Sequence, residues 1–283
     1  MRSLVIGASG LVGGALLRAL GDDAIGTYHR REVTGLRRLD ACDREAVART
    51  IAEVDPEVVF FPAAQANVDW CETHPDEAYA ANVVPALSAL DAAGAHGARF
   101  VYFSSEYVFD GAAGPYAEDD PVRPLNVYGR QKREVEERVL AADETLVRTT
   151  TVFGVELPPG KNFVLRLLAS LRVGESVRVP NDQISTPTWA DELARAAVAI
   201  ALERGIWHVA GPDLLARDEF AHRVARAFAL AESLIVPVPT SALRQTAARP
   251  LRAGLRTEKL ARRLGAPLLS TDVALERLAA QLR

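Results

Sequence analysis

Tyr128 and Lys132, in the run Tyr128-Gly129-Arg130-Gln131-Lys132, stand four residues apart and would share one face of a helix. A phenol and an ammonium so placed can deliver a proton to a carbonyl oxygen. A free phenol titrates near ~10, so a tyrosine working as an acid at neutral pH needs a nearby cation to stabilise its phenolate. Lysine supplies a compact point charge, and it is scarce here: only three of the 33 basic residues are lysines, at 132, 161 and 259. Chance would produce this spacing in roughly 6 % of chains with as many tyrosines and lysines, so the surrounding elements have to support the chemistry.

The segment Val127–Ala142 has helical periodicity, with Tyr128, Lys132, Val135 and Val139 on one stripe and Arg130, Arg133 and Glu137 off it. The pair is therefore expected to face inward. A second support lies at the N-terminus, where the apolar Leu4–Ile6 runs into Gly7-Ala8-Ser9-Gly10-Leu11-Val12-Gly13 and then a helical pattern to Leu20. Strand, glycine turn and helix in that order make a dinucleotide site: the glycines let the backbone turn tightly and approach a pyrophosphate, and the helix N-terminus supplies N–H groups and dipole. Arg2 followed by apolar residues also resembles a secretory signal, but the glycines interrupt it and no small-residue cleavage site follows.

The 283 residues, 49 % hydrophobic and 25 % charged with net charge −4, suit one large α/β domain or two unequal lobes. No basic block points to nucleic acid, and no apolar stretch reaches the ~18 residues of a membrane span. Two scattered cysteines, Cys42 and Cys71, and five histidines offer no disulfide framework or metal spacing, which favours a cytoplasmic protein without a metal site.

Strand candidates at Leu4–Ile6, Ala24–Tyr28, Val58–Phe61, Arg99–Phe103 and Thr145–Val152 alternate with helical patterns at Leu11–Leu20, Asp43–Val54, Pro75–Ala93 and Val127–Ala142. That alternation predicts a Rossmann-type, doubly wound parallel sheet. Beyond residue 152 the regularity loosens. Pro158-Pro159-Gly160 breaks the chain, helices are expected near Asn162–Leu171, Trp189–Glu203 and Arg217–Ala229, a strand at Ile206–Val209, and a last helix, capped at Ser270-Thr271-Asp272, to Leu282. Residues 1–152 with 184–210 are expected to form the NADP-binding domain, and 153–183 with 211–283 a smaller C-terminal substrate lobe walling the crevice beyond the strands.

The run Ser104-Ser105-Glu106-Tyr107-Val108-Phe109-Asp110-Gly111, then Tyr128-Gly129-Arg130-Gln131-Lys132, then Asn181 to Thr188 resembles the extended short-chain dehydrogenase/reductases, and among them the dTDP-4-dehydrorhamnose reductase family. The likeness extends from Met1 to about Gly211. It implies a catalytic Ser105, Tyr128 and Lys132: the serine orients the substrate carbonyl, Tyr128 protonates its oxygen, and Lys132 holds the nicotinamide ribose while lowering the phenol's pKa. Donors placed where charge develops on the oxygen stabilise the transition state of hydride transfer. Glu106 stands where relatives usually carry Asp, near the sugar or as an ordinary loop carboxylate.

After the second strand the chain reads His29-Arg30-Arg31, with the first acid only at Glu32. NAD sites usually place a carboxylate there, and NADP sites an arginine, so NADP(H) is favoured over NAD(H). By resemblance, Gly7, Ser9, Gly10, Leu11, Val12 and Gly13 surround the cofactor phosphates, Asp40 lies near the adenine, and Ala63-Ala64 run past the cofactor. The resemblance also puts Asn162, Phe163 and Gln183 around the sugar nucleotide, with Thr151 where relatives that reduce the rhamnose precursor often carry Trp. Ala15 replaces a Glu used by many bacterial relatives in a metal-bridged dimer, so a homodimer here would lack that bridge. The expected activity is NADPH-dependent reduction of a nucleotide-linked 4-keto-6-deoxy sugar. The alternative is a non-catalytic NADP-binding subunit similar to the methionine adenosyltransferase regulatory β subunit, which shares the Ser-Ser-x-Tyr-Val-Phe-Asp-Gly and Tyr-Gly-x-x-Lys runs.

Overall fold

Short runs of valine, isoleucine and phenylalanine, each followed by a turn and a helix, pair in parallel in a computed structural model that describes residues 1–156 and 161–282. The first half comprises β1 (Ser3–Val5), α1 (Leu11–Leu20), β2 (Ala24–Tyr28), β3 (Arg37–Arg38), α2 (Arg44–Val54), β4 (Val58–Phe61), α3 (Val68–Thr73), α4 (Pro75–Asn82), α5 (Val84–His96), β5 (Arg99–Ser105) and α6 (Val127–Ala141). The second comprises β6 (Thr145–Thr149), β7 (Val152–Phe153), α7 (Phe163–Arg172), β8 (Val177–Pro180), β9 (Ile184–Ser185), β10 (Thr188–Trp189), α8 (Ala190–Ala199), β11 (Gly205–His208), β12 (Leu215–Ala216), α9 (Arg217–Ala227), β13 (Ile235–Val238), α10 (Glu258–Leu264) and α11 (Thr271–Gln281). The main sheet has seven strands in the order β11-β6-β5-β4-β1-β2-β3, all parallel. The strand order reverses beside β1, the Rossmann arrangement whose ligand crevice opens at the carboxyl ends of the strands.

Alternate strand residues serve the two faces. Val58 and Phe60 pack with Val101, Val147 and the alanines of α8, whereas Val59 and Phe61 pack with Tyr102, Leu146 and the inner sides of α2, α5 and α6. A third apolar cluster joins Phe153, Trp189 and Ile235 to α7, α9 and α11. Leu260 and Leu268, late in the chain, return to the sheet side.

Side chains cap the N-termini of α2 and α6, while the cap expected from sequence at α11 takes another form. Asp43 accepts from Ala46 N, and Asn126, ahead of α6, accepts from Gly129 N at 2.9 Å. Ser270 occupies the N-cap of α11 without a side-chain bond, and Asp213 accepts the Thr271 N–H instead. The expected single helix over Pro75–Ala93 divides at Val83, because Pro85 has no N–H to offer the turn before it. The expected strand Thr145–Val152 stops at Thr149. Thr151 turns into the left-handed region, φ 38°, and sends Val152–Phe153 to pair with β10 outside the main sheet. The break expected at Pro158-Pro159-Gly160 lies outside the described residues. Among the described residues no helix is long and apolar enough to cross a membrane.

Candidate active site

Ser105 ends β5, while Tyr128 and Lys132 project from the first turns of α6. Gly129 lets α6 meet the turn that follows β5, since a Cβ there would stand 2.2 Å from the Tyr107 carbonyl oxygen. The inward stripe is confirmed: Tyr128, Lys132, Val135 and Val139 are buried and Arg130 and Glu137 are exposed. Ser104 and Ser105 separate cleanly, in that the Ser104 hydroxyl donates to Glu136 at 2.6 Å while the Ser105 hydroxyl hydrogen-bonds Tyr128 and accepts from Tyr107 N at 3.3 Å.

Lys132 Nζ donates to the Phe103 carbonyl at 2.8 Å and lies 4.7 Å from the Tyr102 ring and 5.7 Å from the Tyr128 ring. Burial pushes its ammonium down to about 8, opposed by Glu136 and, less, by Cys71. The expectation that Lys132 lowers the phenol's pKa needs correction. Burial, with Glu106, Cys71 and Tyr107 nearby, pushes Tyr128 up, and the Ser105 hydrogen bond opposes them only in part. Tyr128 therefore holds its proton firmly, and the lysine charge is directed at the Phe103 carbonyl.

On the cofactor side, Gly7 at φ 98° would drive a Cβ to 2.8 Å from Ala63, and a Cβ on Gly13 would meet the Gly7 carbonyl at 2.3 Å. The turn is thus packed against α1 and the end of β4 as closely as glycine allows, and Ala63 borders it. Gly10 N-caps α1 and is exposed, with Ser9, Leu11 and Val12 beside it half-buried. The N–H groups of a helix's first turn lack helical acceptors, so this edge fits a pyrophosphate. At the end of β2, His29, Arg30 and Arg31 are exposed, and His29 Nε2 lies 3.6 Å from Asp40. Ala64 is exposed at the end of the β4 turn.

The expected substrate residues divide into two groups. Glu106 is buried, its Oε2 has no partner, and burial pushes it up to about 7 against a Thr150 hydrogen bond and the charge of Arg217. Arg217 in turn lies over the Phe163 ring at 5.2 Å, so Glu106 and Phe163 meet through it. Thr151 bonds the Ser185 hydroxyl at 2.9 Å. Asn162 and Gln183 instead serve local structure: Asn162 caps α7 and donates to Gly154 O at 3.1 Å, and Gln183 Nε2 donates to Thr240 and Gln245, each at 3.0 Å.

Sequence reasoning missed Arg217 and Arg249. A cation opening α9 is electrostatically unfavourable, which was a readable signal for Arg217. Arg249 is held by Asp69 at 2.9 Å, lies 5.9 Å from the Tyr107 ring, and keeps a buried Nη1 without a partner. Asp69 also accepts Ala247 N at 2.9 Å, and Asn126 donates to Ala248 O at 2.8 Å, so residues 247–249 strap across α3 and α6 beside Tyr128. Nothing local marks that strap. Among the described residues no cluster of three or more His, Cys, Asp or Glu could hold a metal.

The family described as RmlD substrate binding domain matches residues 1–283. The chain is 34 % identical over 294 aligned positions to a dTDP-4-dehydrorhamnose reductase of Burkholderia thailandensis, covering 95 % of this chain and 94 % of that one. It is 30 % identical to the methionine adenosyltransferase 2 subunit beta of Danio rerio over 92 % of this chain and 84 % of that protein. The crystal structure of a Bacillus anthracis dTDP-4-dehydrorhamnose reductase in complex with NADP superposes with TM-score 0.90 at 27 % identity, covering 99 % of both chains. With its parallel sheet, glycine turn and converging serine, tyrosine and lysine, the chain belongs to the RmlD substrate binding domain family.

Proposed function

We propose that the protein is an NADPH-dependent reductase of a nucleotide-linked 4-keto-6-deoxy sugar. The observation that carries this reading is the convergence of Ser105, Tyr128 and Lys132 in a buried corner at the end of β5. When bound, a reduced nicotinamide supplies the hydride. Ser105 orients the substrate carbonyl, and Tyr128 gives its phenolic proton to the oxygen as negative charge develops there. Lys132 holds the cofactor ribose and offsets the phenolate left behind. The firm hold of Tyr128 on its proton supports the role of an acid that releases it only when a stronger base is generated beside it.

The Gly7 to Gly13 turn and Ala63 fit the pyrophosphate, and Arg30 and Arg31 the extra phosphate of NADPH. We assign cofactor binding to residues 1–152 with 184–210, and sugar-nucleotide binding to 153–183 with 211–283. The relation to dTDP-4-dehydrorhamnose reductases supports the substrate class, as do Arg217 and Arg249, cations suited to a diphosphate. The test is NADPH consumption with dTDP-4-keto-6-deoxyglucose. Turnover that depends on the sugar nucleotide supports the reading.

A second reading, an NADP-binding regulatory subunit, is favoured by the relation to the methionine adenosyltransferase subunit. NADPH binding without turnover on any nucleotide-linked 4-keto sugar, together with a copurifying synthetase, would establish it instead.

A further inference from the structure

Three consecutive residues at the end of β5 are each tied to α6. The Phe103 carbonyl accepts from Lys132, the Ser104 hydroxyl donates to Glu136, and Ser105 hydrogen-bonds Tyr128. The middle tie continues into β6. Glu136 is fully buried, its Oε1 accepting from Ser104 at 2.6 Å and from Arg148 Nε at 2.9 Å, and its Oε2 from Arg148 Nη2 at 2.8 Å. Arg148 is buried as well, 5.1 Å from the Phe109 ring, and its Nη1 donates to the Glu118 carbonyl at 3.3 Å.

A buried ion pair is a poor source of stability, because desolvation of both partners offsets their attraction. The position of this one suggests another role. Glu136 lies one helical turn beyond Lys132 on the inner face of α6. The titratable groups facing Lys132 are Tyr102 from β5, Tyr128 and Glu136 from α6, and Cys71 from α3. Burial raises Tyr102, Tyr128 and Cys71, which leaves the carboxylate of Glu136, ion-paired to Arg148 at 2.8 Å, as the negative charge among them. Glu136 itself faces Lys132, Arg148, Ser104, Tyr102 and, at 3.6 Å, Arg133.

We propose that Glu136 is a positioning residue for the proton donor: held by Arg148 and Ser104, it fixes the end of β5 against α6 and keeps the Lys132 ammonium charged in a dry pocket. The inference rests on the reading of Tyr128 and Lys132 given above. Without the Glu136 charge, burial of Lys132 is opposed only by the smaller influence of Cys71. A neutral lysine would neither stabilise a phenolate nor attract the cofactor.

The chain has three lysines, so lysine labelled at its side chain gives three titration curves by NMR, with Lys132 identified by its loss in Lys132→Met. In Glu136→Gln, which keeps the shape and removes the charge, the Lys132 midpoint should fall by about one pH unit while Lys161 and Lys259 stay in place. A Glu136 that only supports packing would leave the Lys132 curve unmoved, and that result would overturn the proposal. Should Glu136→Gln not fold, Glu136→Gln with Arg148→Gln removes both charges and lets two amides bond each other. The nearer carboxylate dominates at Lys132, so a smaller downward shift is expected, and no shift or an upward one refutes the idea. The titration needs neither cofactor nor sugar. Failure of the unmutated protein to reduce any keto sugar would therefore sink the assigned activity while leaving this result readable.

Discussion

The carboxyl ends of β5 and β2 face the same crevice but are built differently. At β5, Phe103, Ser104 and Ser105 are each bonded to α6, and Tyr128 and Lys132 are buried. At β2, His29, Arg30 and Arg31 stand exposed, and the His29–Asp40 contact is 3.6 Å between groups about half exposed. Proton transfer requires donors already in place in a low-dielectric setting. Distinguishing one dinucleotide from another needs only charges that reach a phosphate once it arrives, at the cost of ordering long side chains at that moment. One end of the crevice is ordered within the fold, and the other would be completed by the proposed cofactor.

The sharpest way to break this contrast is Tyr128→Phe, which removes one oxygen from the ordered end. Folding and NADPH binding should persist while turnover falls by about 10²–10⁴, the usual contribution of a positioned acid. Near-normal turnover across the pH range would place the proton donor elsewhere. Lys132→Met should lower turnover and cofactor affinity together, and it also has a thermodynamic signature. Lys132 titrates near about 8 in the fold against 10.5 in the open chain, so the unfolded state binds this proton more tightly. The resulting cost to stability is fully felt below about pH 8 and fades as pH rises towards 10.5. That cost is about 3 kcal/mol, of which loss of the bond to the Phe103 carbonyl takes back about 1 kcal/mol, so Tm at pH 7 should rise by about 4–8 °C, and calorimetry showing a lower Tm would contradict it. In the unmutated protein, activity should decline above about pH 8 as the ammonium is lost.

At the exposed end the effect is expected on cofactor choice alone. Arg30→Ala with Arg31→Ala should weaken NADPH far more than NADH, each lost phosphate contact costing about 1.5–3 kcal/mol. Equal affinity of the unmutated protein for the two cofactors would show that β2 does not discriminate. The smallest expected effect is none at all. With Ala15 unable to ligate a cation, a chelator should change neither activity nor oligomeric state, and dissociation seen by light scattering would point to a metal bridge built from other residues.

Much of the ordered end was legible because helical spacing determines what shares a face: Tyr128, Lys132, Val135 and Val139 needed no tertiary information. The glycine turn was legible for a related reason, since only glycine meets the 2.3 Å approach found at position 13. Asn162 and Gln183 were harder, because an amide in a family-like segment reads the same whether it caps a helix or faces a ligand. The expected effect of Lys132 on the phenol rested on sequence proximity, whereas the lysine's direction is set by the Phe103 carbonyl, a partner 29 residues away. Arg249 belongs to the same class, invisible until the chain folds back on α3.

That strap bears on when the protein becomes complete. The bonds that join Asp69 to Ala247 and Arg249 close loops of 178 and 180 residues, the widest separations of any hydrogen bonds among the described residues. Such closures come late, after the locally connected strands and helices have formed. During synthesis, a chain that had emerged only through β11 would possess Ser105, Tyr128 and Lys132 and all seven strands of the main sheet. Its Tyr128 ring would still lack the wall that Ala247 provides. The corner around Tyr128 is thus closed by a segment made well after it, and a chain that has not reached residue 247 carries the proposed catalytic residues without that enclosure.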